Sequence, residues 1–551
     1  MLLGKQLNCY TIVCKVLLSV FLSTITALFF FQIPVYAIDP VISQQQSNSI
    51  VLENNKLGTT DWQLRNPAKN REIEGYASLT SVNRGGEIKL FVNTKDPGYT
   101  IEIYRMGWYQ GKGGRQVSPG IFRQATKQPS PIVDQVTGLI ECDWKKPYVL
   151  KIPSKYDDLS QWVSGFYLAK LTGSRSGKQS YIIFVVRDDS RPSDILFQSS
   201  VTTYQAYNNW GTMSLYRWNS QGKQASKVSF NRPYAKSPNR VAAYGVGAGE
   251  FLTNFQPKRR TSNSGWEYNI VRWLEKNGYD VTYGTNIDTH ENNLDEISGK
   301  SMLLLHKAFL SVGHDEYWSW QMRDNVEAAR DAGVSLGFFS ANTCYWQIRL
   351  EPSRIRGDIN RIIVSYKEGE ALDPFARDRD PNNDYLITTL WRRKPINRPE
   401  DMLIGVMYDT FQVNADILIQ NTAPEWFIAN TQLSKNTAQT SKNLFGFGNS
   451  TTKEIRLTGL LGYEVDKMFN SAPENTIRIA HSPYRHGGRT KYSDMTVYTA
   501  DSGATVFATG TIQWSWGLDN FNAPQLRPSL LSQDAQVITR NVLAKMLKKS
   551  S

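Results

Sequence analysis

Cysteine is scarce in this chain. Four occur in 551 residues, and two of them, Cys9 and Cys14, sit near the N-terminus. Cys142 and Cys344 remain, enough for one bridge at most, so a disulfide framework is excluded. No Cys-x-x-Cys pair occurs, which argues against a thiolate zinc site. Beyond the first forty positions no run is long and apolar enough to span a bilayer. The formal charge is +13, yet the basic residues form no dense block and no nucleic-acid-binding motif appears. Nucleic acid is therefore not an expected partner. Ser319 lacks a Gly-x-Ser-x-Gly setting, which removes the serine-hydrolase elbow. No internal repeat is present.

The chain does have an apolar N-terminal segment. Lys5 and Lys15 supply positive charge, residues 16–31 are apolar apart from Ser and Thr, and Val35-Tyr36-Ala37 offers the small residues a signal peptidase reads. Residues 1–37 are expected to be a signal peptide cleaved near Ala37, giving an exported protein, whether periplasmic, cell-surface or secreted. An uncleaved anchor is the alternative. Loss of two lysines and no acid leaves a charge of +11. The remaining length accommodates two or three domains.

Aromatic residues are plentiful, with 15 Trp, 27 Tyr and 23 Phe, which favours β-rich packing or a ring-lined site. Residues 38–62 are polar and read as a linker. From 63 to 189, short alternating runs such as Ile88, Leu90 and Val92 lie between turn signals such as Pro97-Gly98. This spacing predicts an antiparallel β-sandwich of the immunoglobulin-like kind. From 190 to 551 the pattern changes to a larger α/β domain. Trp266, Ile270, Trp273 and Leu274 mark one helix face, and Gly278 ends that helix. Residues 194–197, 279–283, 308–312 and 334–339 read as strands, and Ser319 as the N-cap of a helix running to 333. Strand-helix alternation predicts a mostly parallel sheet, with ligands beyond the carboxyl ends of its strands. Residues 367–384 read as loop. A hairpin is expected at 495–508 and a closing helix at 532–548.

Four segments fall beyond predicted strand ends: 203–211, 229–234, 313–318 and 340–343. The third is the most informative. His314-Asp315-Glu316 precedes a helix N-terminus, and alternation in an extended segment points His314 and Glu316 the same way. One can bind a metal while the other handles a proton. The alternative is a capping cluster without chemistry. Gly245-x-Gly247-x-Gly249 lacks full nucleotide-loop spacing and reads as a glycine turn. His481 and His486 read as solvated loop histidines, and Cys344 as a buried thiol rather than a nucleophile.

These segments carry a resemblance. Tyr104-Arg105-Met106-Gly107-Trp108-Tyr109, Glu141-Cys142-Asp143-Trp144, Ser229-Phe230-Asn231-Arg232-Pro233-Tyr234, Gly462-Tyr463-Glu464-Val465-Asp466 and Gly510-Thr511-Ile512-Gln513-Trp514 are similar to the N,N-dimethylformamidase large (beta) subunit family. So are residues 204–216, 278–283, 312–319 and 338–346. The likeness runs from about Trp62 to the C-terminus.

The resemblance implies a ferric-iron-dependent hydrolase of a C–N amide bond, with iron held by two tyrosinates and a glutamate. Carried over, Glu316 is the carboxylate ligand, with Tyr234 and Tyr207 as the tyrosinates and Tyr204 as the competitor of Tyr207. His314 is the assisting base and Glu464 the second, non-ligand glutamate. From its position, Asn342 is expected to donate to a developing oxyanion. Hard anionic oxygens suit a trivalent cation. The expected partner is a small amide; assembly with copies of itself stays open, as does a small partner subunit like the one the family enzyme works with. An export signal departs from intracellular degradation of a solvent molecule, so the substrate is left undefined. The competing reading is a non-catalytic envelope protein that binds a glycan or cell-wall polymer.

Overall fold

The structure is a computed structural model, and it describes residues 48–154, 162–236, 246–254, 264–295, 298–432 and 455–548. The expected leader, with Cys9 and Cys14, and the first part of the expected linker lie outside the described residues, as does Gly245. Later in the 38–62 stretch, Ser49–Asn54 forms a helix whose first turn is capped by the Asn48 side chain. Its Ile50 is fully buried.

Two facing sheets follow. Ile73–Ala77, Glu87–Thr94 and Tyr148–Lys151 pair antiparallel in one. Gly98–Met106, Gly165–Gly173 and Gln179–Arg187 form the middle of the other. The period-two pattern works as alternation dictates. Ile88, Leu90 and Val92 face Ile101, Ile103 and Phe184 across one shared core. The second sheet also contains a parallel pair, Ser81–Asn83 against Gln179–Arg187. These pairings establish two facing, mainly antiparallel sheets and not the expected immunoglobulin-like order.

The dominant element is a nine-stranded sheet. Its first five strands in spatial order are Val281–Thr285, Ile195–Ser199, Ala308–His314, Ser335–Ala341 and Thr505–Ala508, all parallel. The next four, Arg489–Thr499, Ile477–His486, Met407–Ile419 and Ile455–Lys467, are antiparallel. The sheet is therefore mixed, which corrects the expectation of a mostly parallel one. The protein is a mixed α+β fold in which strands predominate.

Local signals in the parallel half behave as read. Ser319 caps Trp320–Asp331 by accepting from Met322 N at 3.1 Å. Gly278, at φ +73°, ends Glu267–Lys276. The expected hairpin pairs Thr496–Thr499 with Thr505–Ala508. The closing helix is Gln533–Leu547, capped by Ser532. Asn48 onward packs as one unit, and Ile50, Tyr104, Phe166, Phe197, Leu310 and Trp514 belong to one core. Among the described residues no helix is long and apolar enough to cross a membrane.

Cys142 and Cys344 are free and buried, and burial pushes both thiols up. Cys344 is thus no ready nucleophile. Gly247, at φ +85°, lies against the Tyr181 backbone, where a Cβ would come within 2.0 Å of its carbonyl oxygen. That explains the glycine there as a close approach of two chains. His481 is not simply solvated: its Nδ1 is 2.6 Å from Asp494 and its ring stacks on Tyr492 at 4.2 Å.

Candidate active site

His314 is the last residue of a parallel strand, and Asp315 and Glu316 link it to the short strand Tyr317–Ser319. Alternation then separates two environments. Asp315 turns one way and accepts from Gln198, Ser311 and Asn286 at 2.6, 2.8 and 2.9 Å. His314 and Glu316 turn the other way, with Nε2 3.3 Å from Glu316 Oε2. Gly313 permits the approach, because at φ +71° a Cβ there would lie 2.5 Å from Trp266 Cβ. The Trp266 ring stands edge-on to the His314 ring at 6.0 Å.

Two phenols converge on Glu316. Tyr207 ends the helix Val201–Tyr207 and donates to Oε2 at 2.9 Å. Tyr216 donates to the same carboxylate at 2.8 and 2.9 Å, and its ring stacks on Tyr207 with centroids 4.3 Å apart. Tyr317 donates to the Tyr216 oxygen at 2.5 Å. The loop that returns Tyr216 is pinned from within. Asn219 Nδ2 donates to Tyr207 O at 2.9 Å, and the Arg232 guanidinium donates to the carbonyls of Asn208, Trp210 and Met213. The Glu316 backbone N–H donates to Thr203 Oγ1 at 2.9 Å, tying the helix to the His-x-Glu segment.

The other side is supplied by the far strand of the sheet. Glu464 Oε2 lies 3.2 Å from His314 Nε2. Asn342, at the end of Ser335–Ala341, donates its Nδ2 to Glu464 at 2.7 Å, and that nitrogen lies 3.4 Å from His314 Nε2. Its backbone N–H donates to Asp466 Oδ1 at 2.8 Å. The Gly510-to-Trp514 motif braces this strand: Thr511 Oγ1 donates to the carbonyls of Leu460 and Gly462 and accepts from the Gly462 N–H. The expected donor role of Asn342 toward an oxyanion uses the same Nδ2 that here serves Glu464.

The electrostatics follow from burial and proximity. Burial alone lowers an imidazole, but Glu464 and Glu316 outweigh it and hold His314 well above its ordinary value. Burial opposes ionisation of Glu316, yet His314 and Lys367 bring its carboxyl below the usual range. Burial and then Glu316 push both phenols far up, so Tyr207 and Tyr216 remain protonated donors. Lys367 is buried with its Nζ 3.2 Å from the Tyr216 ring centroid, and burial lowers it to about 7.

The structure thus brings together Tyr207, His314, Glu316, Asn342 and Glu464. It does not bring Tyr234 there. Tyr234 packs edge-on to Tyr204 at 6.2 Å, and it lines a separate cavity with Arg232 and Arg361. Tyr204, the competitor of Tyr207, reaches Ser199 at 3.5 Å instead of Glu316. Tyr216 takes the place expected for Tyr234. Sequence reasoning had Tyr216 within a matching stretch and passed over it, and it missed Lys367 altogether.

Among the described residues no group of three His, Cys, Asp and Glu side chains is arranged to hold a metal ion. Here the further oxygens are phenolic. Two phenol oxygens and a carboxylate within 2.9 Å contacts form a hard donor set, and loss of two phenolic protons leaves the charge a trivalent cation needs.

Residues 100–526 match the family model described as N,N-dimethylformamidase beta subunit-like, C-terminal. Two curated relatives are similar. The N,N-dimethylformamidase beta subunit of Alcaligenes sp is 20% identical over 463 residues, 72% of this chain and 55% of that protein. The N,N-dimethylformamidase beta subunit of Paracoccus aminophilus is 21% identical over 249 residues, 39% of this chain and 29% of that protein. The chain therefore spans about half the length of the first relative and less than a third of the second. With the match covering more than three quarters of its length, the chain belongs to the N,N-dimethylformamidase beta subunit-like family.

Proposed function

We propose that the chain is an exported hydrolase of a C–N amide bond, with iron held by Tyr207, Tyr216 and Glu316. The observation that carries the reading is the convergence of two phenols on one buried carboxylate, with an imidazole 3.3 Å from the same oxygen. The names of the two relatives support the amide class. When bound, a ferric ion supplies Lewis acidity toward a substrate carbonyl. The remaining roles belong to the chain. His314 Nε2 holds and moves the proton, and the Glu464 carboxylate at 3.2 Å fixes the ring and balances its charge. Asn342 positions Glu464 through Nδ2. Trp266 stands edge-on beside the imidazole, with ring centroids 6.0 Å apart.

Export rests on the leader sequence. Both relatives carry the name beta subunit, which supports a partner subunit or self-assembly for this chain as well. The test is metal analysis and visible spectroscopy of the purified mature chain, followed by release of amine and acid from small linear amides. The reading predicts about one iron per chain, given one three-ligand site with open positions, together with a tyrosinate-to-iron band. Folded protein that takes up no iron and shows no such band contradicts it.

A further inference from the structure

Arg232 and Arg361 are 1% and 3% exposed. A buried charge is ordinarily paired with an opposite one. Among the described residues, neither guanidinium has a carboxylate at hydrogen-bond distance. Arg232 donates only to the carbonyls of Asn208, Trp210 and Met213. Arg361 donates to Asn231 Oδ1 and Ala77 O. Among the described residues, Arg232 Nε has no hydrogen-bond partner. Burial pushes both guanidinium pKa values down to about 10, and at Arg361 the more distant charges of Asp358 and Glu141 oppose it only in part.

Both side chains line one cavity of about 30 Å³, together with Tyr234, Phe230 and Tyr76. The space is bounded by aromatic and aliphatic side chains as well as the two arginines, and it admits a small anion with water beside it. Burial keeps Tyr234 a neutral phenol, an O–H donor and not a counter-charge. We propose that this cavity binds a small monovalent anion of chloride's size between Arg232 and Arg361, with the Tyr234 hydroxyl as a further donor. The Asn-Arg-Pro-Tyr segment then acts as an anion clamp. Through Arg232 the clamp reaches the loop that presents Tyr216.

The test uses the unmodified chain. Crystals soaked in bromide give an anomalous peak within hydrogen-bond reach of both guanidiniums. In solution, chloride raises Tm saturably, by about 2 °C, over gluconate at equal ionic strength. Arg361→Gln abolishes that rise. The proposal is overturned if the cavity holds only water and Tm is the same in both salts. It also fails if the chloride effect survives in Arg361→Gln. Should that variant not fold, the bromide map of the unmodified protein decides alone.

Discussion

Arg105 and Glu275 stand 170 positions apart and meet in a two-pronged ion pair at 2.8 and 3.0 Å, with neither side chain exposed. The same carboxylate accepts from Asn54 and Tyr283. A Cβ at Gly107 would lie 2.2 Å from Glu275 Oε2. The Tyr-Arg-Met-Gly-Trp-Tyr motif therefore joins the N-terminal sheets to the helix Glu267–Lys276. Removing one partner of such a pair leaves a buried charge and costs about 3–5 kcal/mol. Glu275→Gln is expected to lower the unfolding free energy by that amount in urea titrations. A loss below about 1 kcal/mol, the range of exposed pairs, contradicts the assignment.

Tyr216 and Tyr234 separate two versions of the metal site. Tyr216→Phe is expected to weaken iron binding by at least roughly 10–100-fold and to change or remove the visible band. Tyr234→Phe is expected to leave iron content and band in place. Metal analysis after dialysis checks both, and iron loss confined to Tyr234→Phe would reverse the assignment.

On the proposed reading, His314 and Asn342 act on rate and not on metal retention. His314→Ala is expected to keep iron and lose roughly 10²–10⁴-fold in kcat. Asn342→Ala frees Glu464 from its 2.7 Å donor, and is expected to lower kcat with KM little changed. Equal iron loss in both variants would make them structural residues instead.

Much of the parallel half was legible because each element carries a local mark: Gly278 at a helix end, Ser319 at a helix start, His-x-Glu at a strand end. The antiparallel half was not. Met407–Ile419 and Ile455–Lys467 shift register three times along their ladder, so inward and outward positions lose the period of two. Glu464 was readable only through the family motif. Tyr216 needed the fold itself, since only the pinned 208–220 loop returns its ring onto Tyr207. Tyr234 misled because its motif is equally distinctive, while its neighbour Arg232 serves the same loop from outside the site.

His306 gives a pH prediction away from the site. Burial holds its imidazole down at about 4, with Nδ1 3.0 Å from Ser193. Its ordinary value is about 6.5. Above that pH the ring is neutral in both folded and unfolded chains. Between about 6.5 and 4 only the unfolded chain takes up the proton, so stability falls by up to about 3 kcal/mol as pH drops. His306→Gln is expected to remove that share of the slope in urea midpoints compared at pH 7 and 4.5. An unchanged slope would show that the ring is protonated in the fold.

Glu464 belongs to the ninth strand in spatial order and His314 to the third, yet their side chains touch. The sheet's last edge must curl back to its parallel half before any proton relay exists. The oxygen-donor half, from Tyr207 to Glu316, comes from chain made before residues 455–467, which bring Glu464 to His314. On the proposed reading, the site is thus a closure property of the whole sheet, complete only where its ninth strand lies against its third.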